Sequence, residues 1–117
     1  MTPQQVSQVR ALNDAFRTNP HGEGGRIMMT QGVSARGLIY SIKAHRAVKE
    51  FTAFTQDNDP YAEHDFGCAT FRDDGVEQLV FFKIDYYASG DMDFGSEAPW
   101  DADVTTRVLT IMLPEEY

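Results

Sequence analysis

Near the start of the chain, apolar residues recur at a spacing of three to four. Val6, Val9, Leu12 or Asn13, and Phe16 share one helical face, with Ala11 and Ala15 alongside and polar residues opposite. This predicts an amphipathic helix over 3–17. Thr2 suits its N-cap and Pro3 its first turn, and Asn19-Pro20 should end it, because a residue before proline avoids the helical region. The apolar run at 26–30 reads as a short strand. Gly32 and Ser34 read as a break, with Ser34 capping a second helix over 37–52. Leu38, Ile42, His45, Val48 and Phe51 step by four, three, three and three and form its expected apolar stripe. His45 is expected on or beside that stripe as a hydrogen-bonded core or boundary residue rather than a ligand.

After residue 65 the period changes to two. Residues 66–72 are rich in aromatic and small side chains and read as a strand. Asp73-Asp74-Gly75 is a hairpin turn, and 76–87 is the clearest strand of the chain. In it Val80, Phe82, Ile84 and Tyr86 should face one way, and Leu79, Phe81, Lys83, Asp85 and Tyr87 the other. Residues 88–103 read as a long loop, and 104–113 as a last strand closed by Pro114. The expected fold is α+β: an antiparallel sheet of about four strands (26–30, 66–72, 76–87, 104–113) with two helices (3–17, 37–52) packed on it. A length of 117 residues fits one domain over 1–117 with its own core.

Composition narrows the setting. The apolar fraction of 42% argues against disorder. The lone cysteine, Cys68, excludes an internal disulfide framework and a cysteine-only zinc site. The polar first helix is no signal peptide, and no stretch approaches the roughly 20 apolar residues that span a bilayer. A cytoplasmic protein without membrane contact is expected.

Charge sharpens the picture more. The net charge is −8, which disfavours direct binding to nucleic acid. Residues 1–56 hold seven Lys/Arg against three Asp/Glu, a net +4, whereas residues 57–117 hold three against fifteen, a net −12. Such asymmetry marks a charged interaction face, or simply a solubilising acidic surface. In the second half, the stretch 56–65 gathers Asp57, Asp59, Tyr61, Glu63, His64 and Asp65 around a turn at Asn58-Asp59-Pro60. If 66–72 and 76–87 form a hairpin and 104–113 pairs antiparallel with the latter, then this loop, Asp85, and the loop carrying Asp91, Asp93 and Trp100 share one pole of the sheet.

Several chemistries are open to that pole. Asp57, Asp59, Glu63 and Asp65 offer oxygen ligands for a hard cation, but the EF-hand spacing is absent. Zinc would need His64 with His21 or His45, at no characteristic spacing. His64, Asp65, Asp85 and Tyr87 offer acid–base groups, without a compelling nucleophile. The glycine-rich 21–25 lacks the Lys-Ser/Thr of a phosphate loop and reads as a turn. No cofactor is expected. The favoured expectation is binding without chemistry, through Asp57, Asp59, Tyr61, Glu63, His64, Asp65, Asp91, Asp93 and Trp100, to a protein with a basic surface. The edge strand 26–30 leaves the oligomeric state open.

Four stretches, ALNDAFR (11–17), FTAFTQDNDPYAEHDFG (51–67), KIDYY (83–87) and VTTRVLTIMLPEEY (104–117), carry a resemblance that spans most of the chain. Through them the sequence resembles a family of small bacterial proteins classed as a domain of unknown function and often carried on plasmids and other mobile elements. It departs from that pattern at 20–25 and 33–37. The resemblance implies a bacterial, cytoplasmic protein with an accessory role for mobile DNA, and assigns no activity, cofactor or catalytic residue. It adds one expectation, inhibition of a nucleic-acid-binding host or defence protein by phosphate mimicry. The alternative is a metal-dependent or acid–base hydrolase built on the acidic, histidine-bearing loop.

Overall fold

A computed structural model describes residues 1–19 and 24–117. Of the turn expected at 21–25, residues 21–23, His21 among them, lie outside the described residues, and Gly25 already belongs to a strand. Helix α1 spans Pro3–Thr18. Its start is a reciprocal cap: the Gln5 amide donates to Thr2 Oγ1 at 3.1 Å, and the Thr2 amide donates to Gln5 Oε1 at 2.8 Å. Its buried face is Val9, Asn13, Phe16 and Arg17, so two of its four buried residues are polar.

Strand β1, Gly25–Met29, leads into a helix that the break expected at Gly32 and Ser34 left no room for. This helix, α2, spans Gln31–Ala35. The cap is Thr30, whose hydroxyl accepts from the Val33 amide, so Ser34 lies inside α2. The Glu116 carboxylate reaches back from the C-terminus to accept from the Thr30 hydroxyl and the Gly32 amide. Gly37, at φ 101°, then opens α3, Leu38–Glu50, without a side-chain cap.

The buried face of α3 is Tyr40, Ala44 and Val48, and Phe51 just beyond the helix packs beside them. The expected stripe is corrected by about a quarter turn: Leu38 is 77% exposed and Ile42 50%. Small Ala44 lets the helix sit close to the sheet, whereas bulkier Leu38 and Ile42 are turned to water. His45 is half-buried, but its shielded Nε2 has no hydrogen-bond partner among the described residues. Burial, with help from Lys49, pushes its pKa down, which favours the neutral ring.

Among the described residues the sheet has five strands. Strand β2 is Phe66–Asp73, β3 Val76–Ala88, β4 Asp91–Gly95 and β5 Thr105–Met112. Their order is β1-β5-β3-β2, with β4 pairing to the end of β3. In β2 and β3 the alternation of side chains chooses the covered face. The β2–β3 hairpin turns at Asp74-Gly75, and β3 pairs antiparallel with β5 from Phe81↔Met112 to Ala88↔Thr105. Two features differ from the expected antiparallel sheet of four. β1 runs parallel to β5, because the chain crosses from β1 through α2 and α3 before the sheet resumes. Strand β4 lies inside the stretch expected to be loop, where its aspartates and glycine hide a short hairpin on β3. So the protein is mixed α+β, with three α-helices and five mostly antiparallel strands among the described residues.

Val80, Phe82, Ile84, Ala69, Leu109 and Ile111 form the covered face and pack with Phe16, Val33, Tyr40 and Val48. The Phe51 ring stands edge-on to Phe54 and Phe82, at 4.8 and 5.4 Å. Among the described residues, no helix is long and apolar enough to cross a membrane.

Gly67 tests this packing. A Cβ there would lie 2.5 Å from the Phe82 ring and 2.9 Å from that of Phe51. Gly67→Ala should cost about 1–3 kcal/mol by overpacking. Cys68→Ala, at the exposed neighbour, should stay within about 0.5 kcal/mol. Urea denaturation of both variants checks the pair.

Candidate functional site

The loop between α3 and β2 is shaped by its own side chains. Thr55 and Asn58 bond reciprocally, amide to side chain, at 2.8 and 3.2 Å, and Asn58 Nδ2 donates to the Ala53 carbonyl. Asp59 is thereby turned inward. Its side chain is only 7% exposed and accepts from the His64 amide at 3.3–3.4 Å. Ala62 and His64 both sit at φ 57°, a left-handed conformation that costs energy for residues other than glycine. Contacts beyond the loop hold them there.

Those contacts come largely from α1. The His64 ring lies flat on Phe54, with centroids 3.8 Å apart. Its Nδ1 faces Asp14 at 2.9 Å and its Nε2 faces Asp59 at 3.6 Å. Arg10 donates to the Ala62 carbonyl at 3.1 Å. Asn13, fully buried, donates to the Glu63 carbonyl at 2.9 Å and to the Tyr86 hydroxyl at 2.8 Å. Its Oδ1 accepts from Arg107 Nε at 2.8 Å. Tyr86 in turn donates to Asp65 at 3.1 Å. Arg107 donates onward to the Pro99 carbonyl and lies over the Tyr86 ring, 5.3 Å from its centroid. One side chain of α1 thus links the 59–65 loop, β3, β5 and, through Arg107, the 96–101 segment.

Arg17 is the second buried cation. Its guanidinium donates to the carbonyls of Val48, Lys49 and Phe51 and so closes the C-terminal end of α3. It also sits between the rings of Phe54 and Phe82, at 5.3 and 5.7 Å. Burial lowers the pKa of both Arg17 and Arg107. Asp14 partly offsets this for Arg17, whereas among the described residues no carboxylate pairs with Arg107. Arginine stays charged under such shifts, so the Tyr86 ring face and polar oxygens solvate that cation in place of water.

The two loops meet on one edge of β3. The Ile84 amide donates to the Asp65 carbonyl at 2.8 Å, and the Ser96 amide donates to the Tyr86 carbonyl at 3.0 Å. These are adjacent bonding positions, so the segments around Asp65 and Ser96 leave the sheet side by side. Asp57, Asp91, Asp93, Glu97 and Asp103 are exposed around them, with Tyr61 at 78% and Phe94 at 65%. Trp100 is half-buried.

Not every residue grouped from the sequence stays together. Asp59, Glu63, His64 and Asp65 are engaged in holding the loop. Asp85 pairs with Lys83 at 3.2 Å and, with Tyr87, lines the opposite face of the sheet. Asp65 therefore meets Tyr86, not Tyr87, and the set His64, Asp65, Asp85 and Tyr87 is divided between two faces. Of the carboxylates considered for a cation, Asp57 points to solvent, Asp59 to His64 and Asp65 to Tyr86. Among the described residues no three His, Cys, Asp or Glu side chains are grouped to hold a metal ion.

Sequence reasoning missed Asn13, Tyr86, Arg107 and Phe94 as site residues. The available signals were slight. Asn13 competes with Leu12 for an apolar slot, and Arg107 interrupts the run of β5.

The chain belongs to a family of proteins of unknown function, DUF3768, whose model matches residues 29–116. No curated protein and no solved structure matches it.

One group in the network titrates near neutrality. Burial, then the neighbouring Asp65 carboxylate and its hydrogen bond, then Asp59, push the Glu63 carboxyl up to about 7. The folded state therefore holds the Glu63 proton more tightly than the unfolded chain does. That contribution to stability is fully present below the ordinary carboxyl pKa and is lost as pH rises through about 7. Glu63→Gln should flatten the fall in melting temperature between about pH 5 and about pH 8, relative to the unsubstituted chain, as followed by circular dichroism.

Proposed function

We propose that this chain is a binding protein that uses its acidic pole to engage a partner with a basic surface. The observation that carries this reading is the side-by-side exit of two acidic loops from one edge of β3. Asp57 and Tyr61 on the first loop, and Asp91, Asp93 and Phe94 on the second, are all exposed, so each loop offers both carboxylates and an aromatic ring. Such a surface combines electrostatic steering with apolar anchors. Carboxylates on a rigid edge stand in for phosphates, so a groove built for nucleic acid is the partner chemistry that fits best. The resemblance to bacterial proteins of plasmids and other mobile elements suits a cytoplasmic inhibitor of a host nuclease or nucleic-acid-guided defence protein.

The acid–base hydrolase alternative has less support. Both ring nitrogens of His64 face carboxylates, and Asp65 and Tyr86 bond each other, so these groups are spent on holding the loop.

Capture from a bacterial lysate at increasing salt tests the proposal. The partner should be a nucleic-acid-binding protein, and retention should fall steeply between about 50 and about 300 mM salt as screening grows. Combining Asp57→Asn, Asp91→Asn, Asp93→Asn and Phe94→Ala should weaken capture at least ~10-fold without lowering the melting temperature, because all four side chains are exposed. A partner held equally well at high salt, or by the quadruple variant, would count against the acidic pole.

A further inference from the structure

One flank of α1 and the segment leading into β5 border a groove of about 550 Å³ that opens to solvent. Gln8, Ala11 and Leu12 line it from α1, and Trp100, Asp101 and Asp103 line it from the other side. The segment carrying Trp100 is anchored before and after the groove. The Ser96 and Thr105 hydroxyls lie 2.6 Å apart, Thr105 Oγ1 donates to the Ala98 carbonyl at 2.8 Å, and Arg107 donates to the Pro99 carbonyl. Asp101 caps the turn Ala102–Val104 by accepting from the Asp103 amide at 3.0 Å. The wall is thus fixed before anything enters the groove.

Trp100 is the only tryptophan of the chain and is half-buried. Among the described residues its indole N–H makes no hydrogen bond, and no aromatic ring or arginine packs on its faces. Among the same residues no Lys, Arg or His pairs with Asp101 or Asp103. An unstacked indole and two unpaired carboxylates therefore border one groove, and no basic residue lines it.

We propose that this groove is an arginine pocket, which seats one arginine side chain from the basic surface of a protein partner. The proposal rests on the reading of the acidic pole as a partner-binding surface and names the side chain that it grips. Charge and shape choose the occupant. Asp101 and Asp103 call for a cation. Indole is the best aromatic surface for one. A guanidinium is planar and weakly hydrated, so it both lies on such a ring and gives paired hydrogen bonds to a carboxylate, whereas a lysine ammonium is a compact, strongly hydrated point charge. Ala11 and Leu12 offer apolar contact to the methylene stem of arginine. An open groove suits a side chain presented by a larger surface, since sites for free small molecules enclose most of the ligand. The wall of the groove directly continues the loop that carries Asp91 and Asp93, so pocket and acidic loop belong to one stretch of chain.

The lone indole supplies the readout, because Trp100 fluorescence and its single indole N–H signal in a heteronuclear NMR spectrum report on this groove alone. The probes are blocked tetra-arginine and tetra-lysine peptides of equal charge, at about 50 mM salt, where screening is weak. Tetra-arginine should shift both signals saturably, with an apparent dissociation constant at least ~5-fold below that of tetra-lysine. Asp103→Asn should raise that constant at least ~3-fold. Ala11→Phe, which fills the groove from an exposed helix position, should abolish the indole shift while circular dichroism stays that of the parent chain. Equal responses to the two peptides would mark a merely acidic surface and overturn the proposal. So would an indole signal that ignores both peptides, or an arginine response that survives Ala11→Phe. If Ala11→Phe alters the fold, Gln8→Lys decides: a resident cation should raise the constant at least ~3-fold, and an unchanged constant refutes the pocket. Failure here is separable from failure of the acidic-pole reading. Lysate capture that weakens with Asp57→Asn, Asp91→Asn, Asp93→Asn and Phe94→Ala while Trp100 stays silent sinks the pocket alone. An arginine-specific Trp100 response without such capture sustains the pocket and rejects the two loops as the capturing surface.

Discussion

The side-chain amide of Asn13 is the constraint on which the rest of the structure turns. It is wholly buried and makes three hydrogen bonds, to the Glu63 carbonyl, the Tyr86 hydroxyl and Arg107 Nε. Each bond ends on a different part of the chain. Replacing it by an apolar residue would strand a backbone carbonyl, a hydroxyl and part of a guanidinium at once, and each unsatisfied group costs about 1–3 kcal/mol. Arg107 depends on it most, because no carboxylate among the described residues pairs with this cation. The guanidinium rests on the Tyr86 ring, and the Tyr86 hydroxyl reaches Asp65, so positive and negative charge are balanced across one aromatic side chain.

This network divides the acidic loop into two functions. Asp59, Glu63, His64 and Asp65 look inward and fix a backbone that passes through two left-handed residues. Asp57 and Tyr61 look outward. The same division runs through the second loop, where the Ser96 amide and the Pro99 carbonyl are bound while the side chains of Asp91, Asp93 and Phe94 are exposed. Rigid backbone beneath exposed charge limits the entropy lost when a partner binds.

Much of the fold was legible in the sequence. Period-two alternation located β3, and the Asp-Asp-Gly turn gave its hairpin with β2. The first helix was bounded by Thr2-Pro3 and Asn19-Pro20. Three features were hidden for physical reasons. β4 is short and rich in aspartate and glycine, so its pairing shows only once β3 is in place. α2 is capped by Thr30, which reads equally as the end of a strand. In α3, Leu38 and Ile42 have the composition of a core but face water, while Ala44 has little hydrophobic signal and lies buried. Charge arithmetic and strand pairing pointed to one end of the sheet, where the segments around Asp65 and Ser96 do meet on one edge of β3, whereas Asp85 lies on the opposite face. The supports of these segments were not legible, because Asn13, Tyr86 and Arg107 are distant in sequence and each alone looks ordinary. The stretches that carried the family resemblance meet in three dimensions at this network, from Asn13 and Arg17 through Asp59 and His64 to Tyr86 and Arg107.

The central claim is that Asn13 couples the two acidic loops. Amide hydrogen exchange by NMR in an Asn13→Ala variant tests it most directly, with His64 and Ile84 reporting on the first loop and Ser96 and Asp101 on the second. The account predicts that all four amides lose protection together, while core amides such as Val80 exchange no faster than the global loss of stability requires. Loss confined to His64 and Ile84, with Ser96 and Asp101 unchanged, would contradict it.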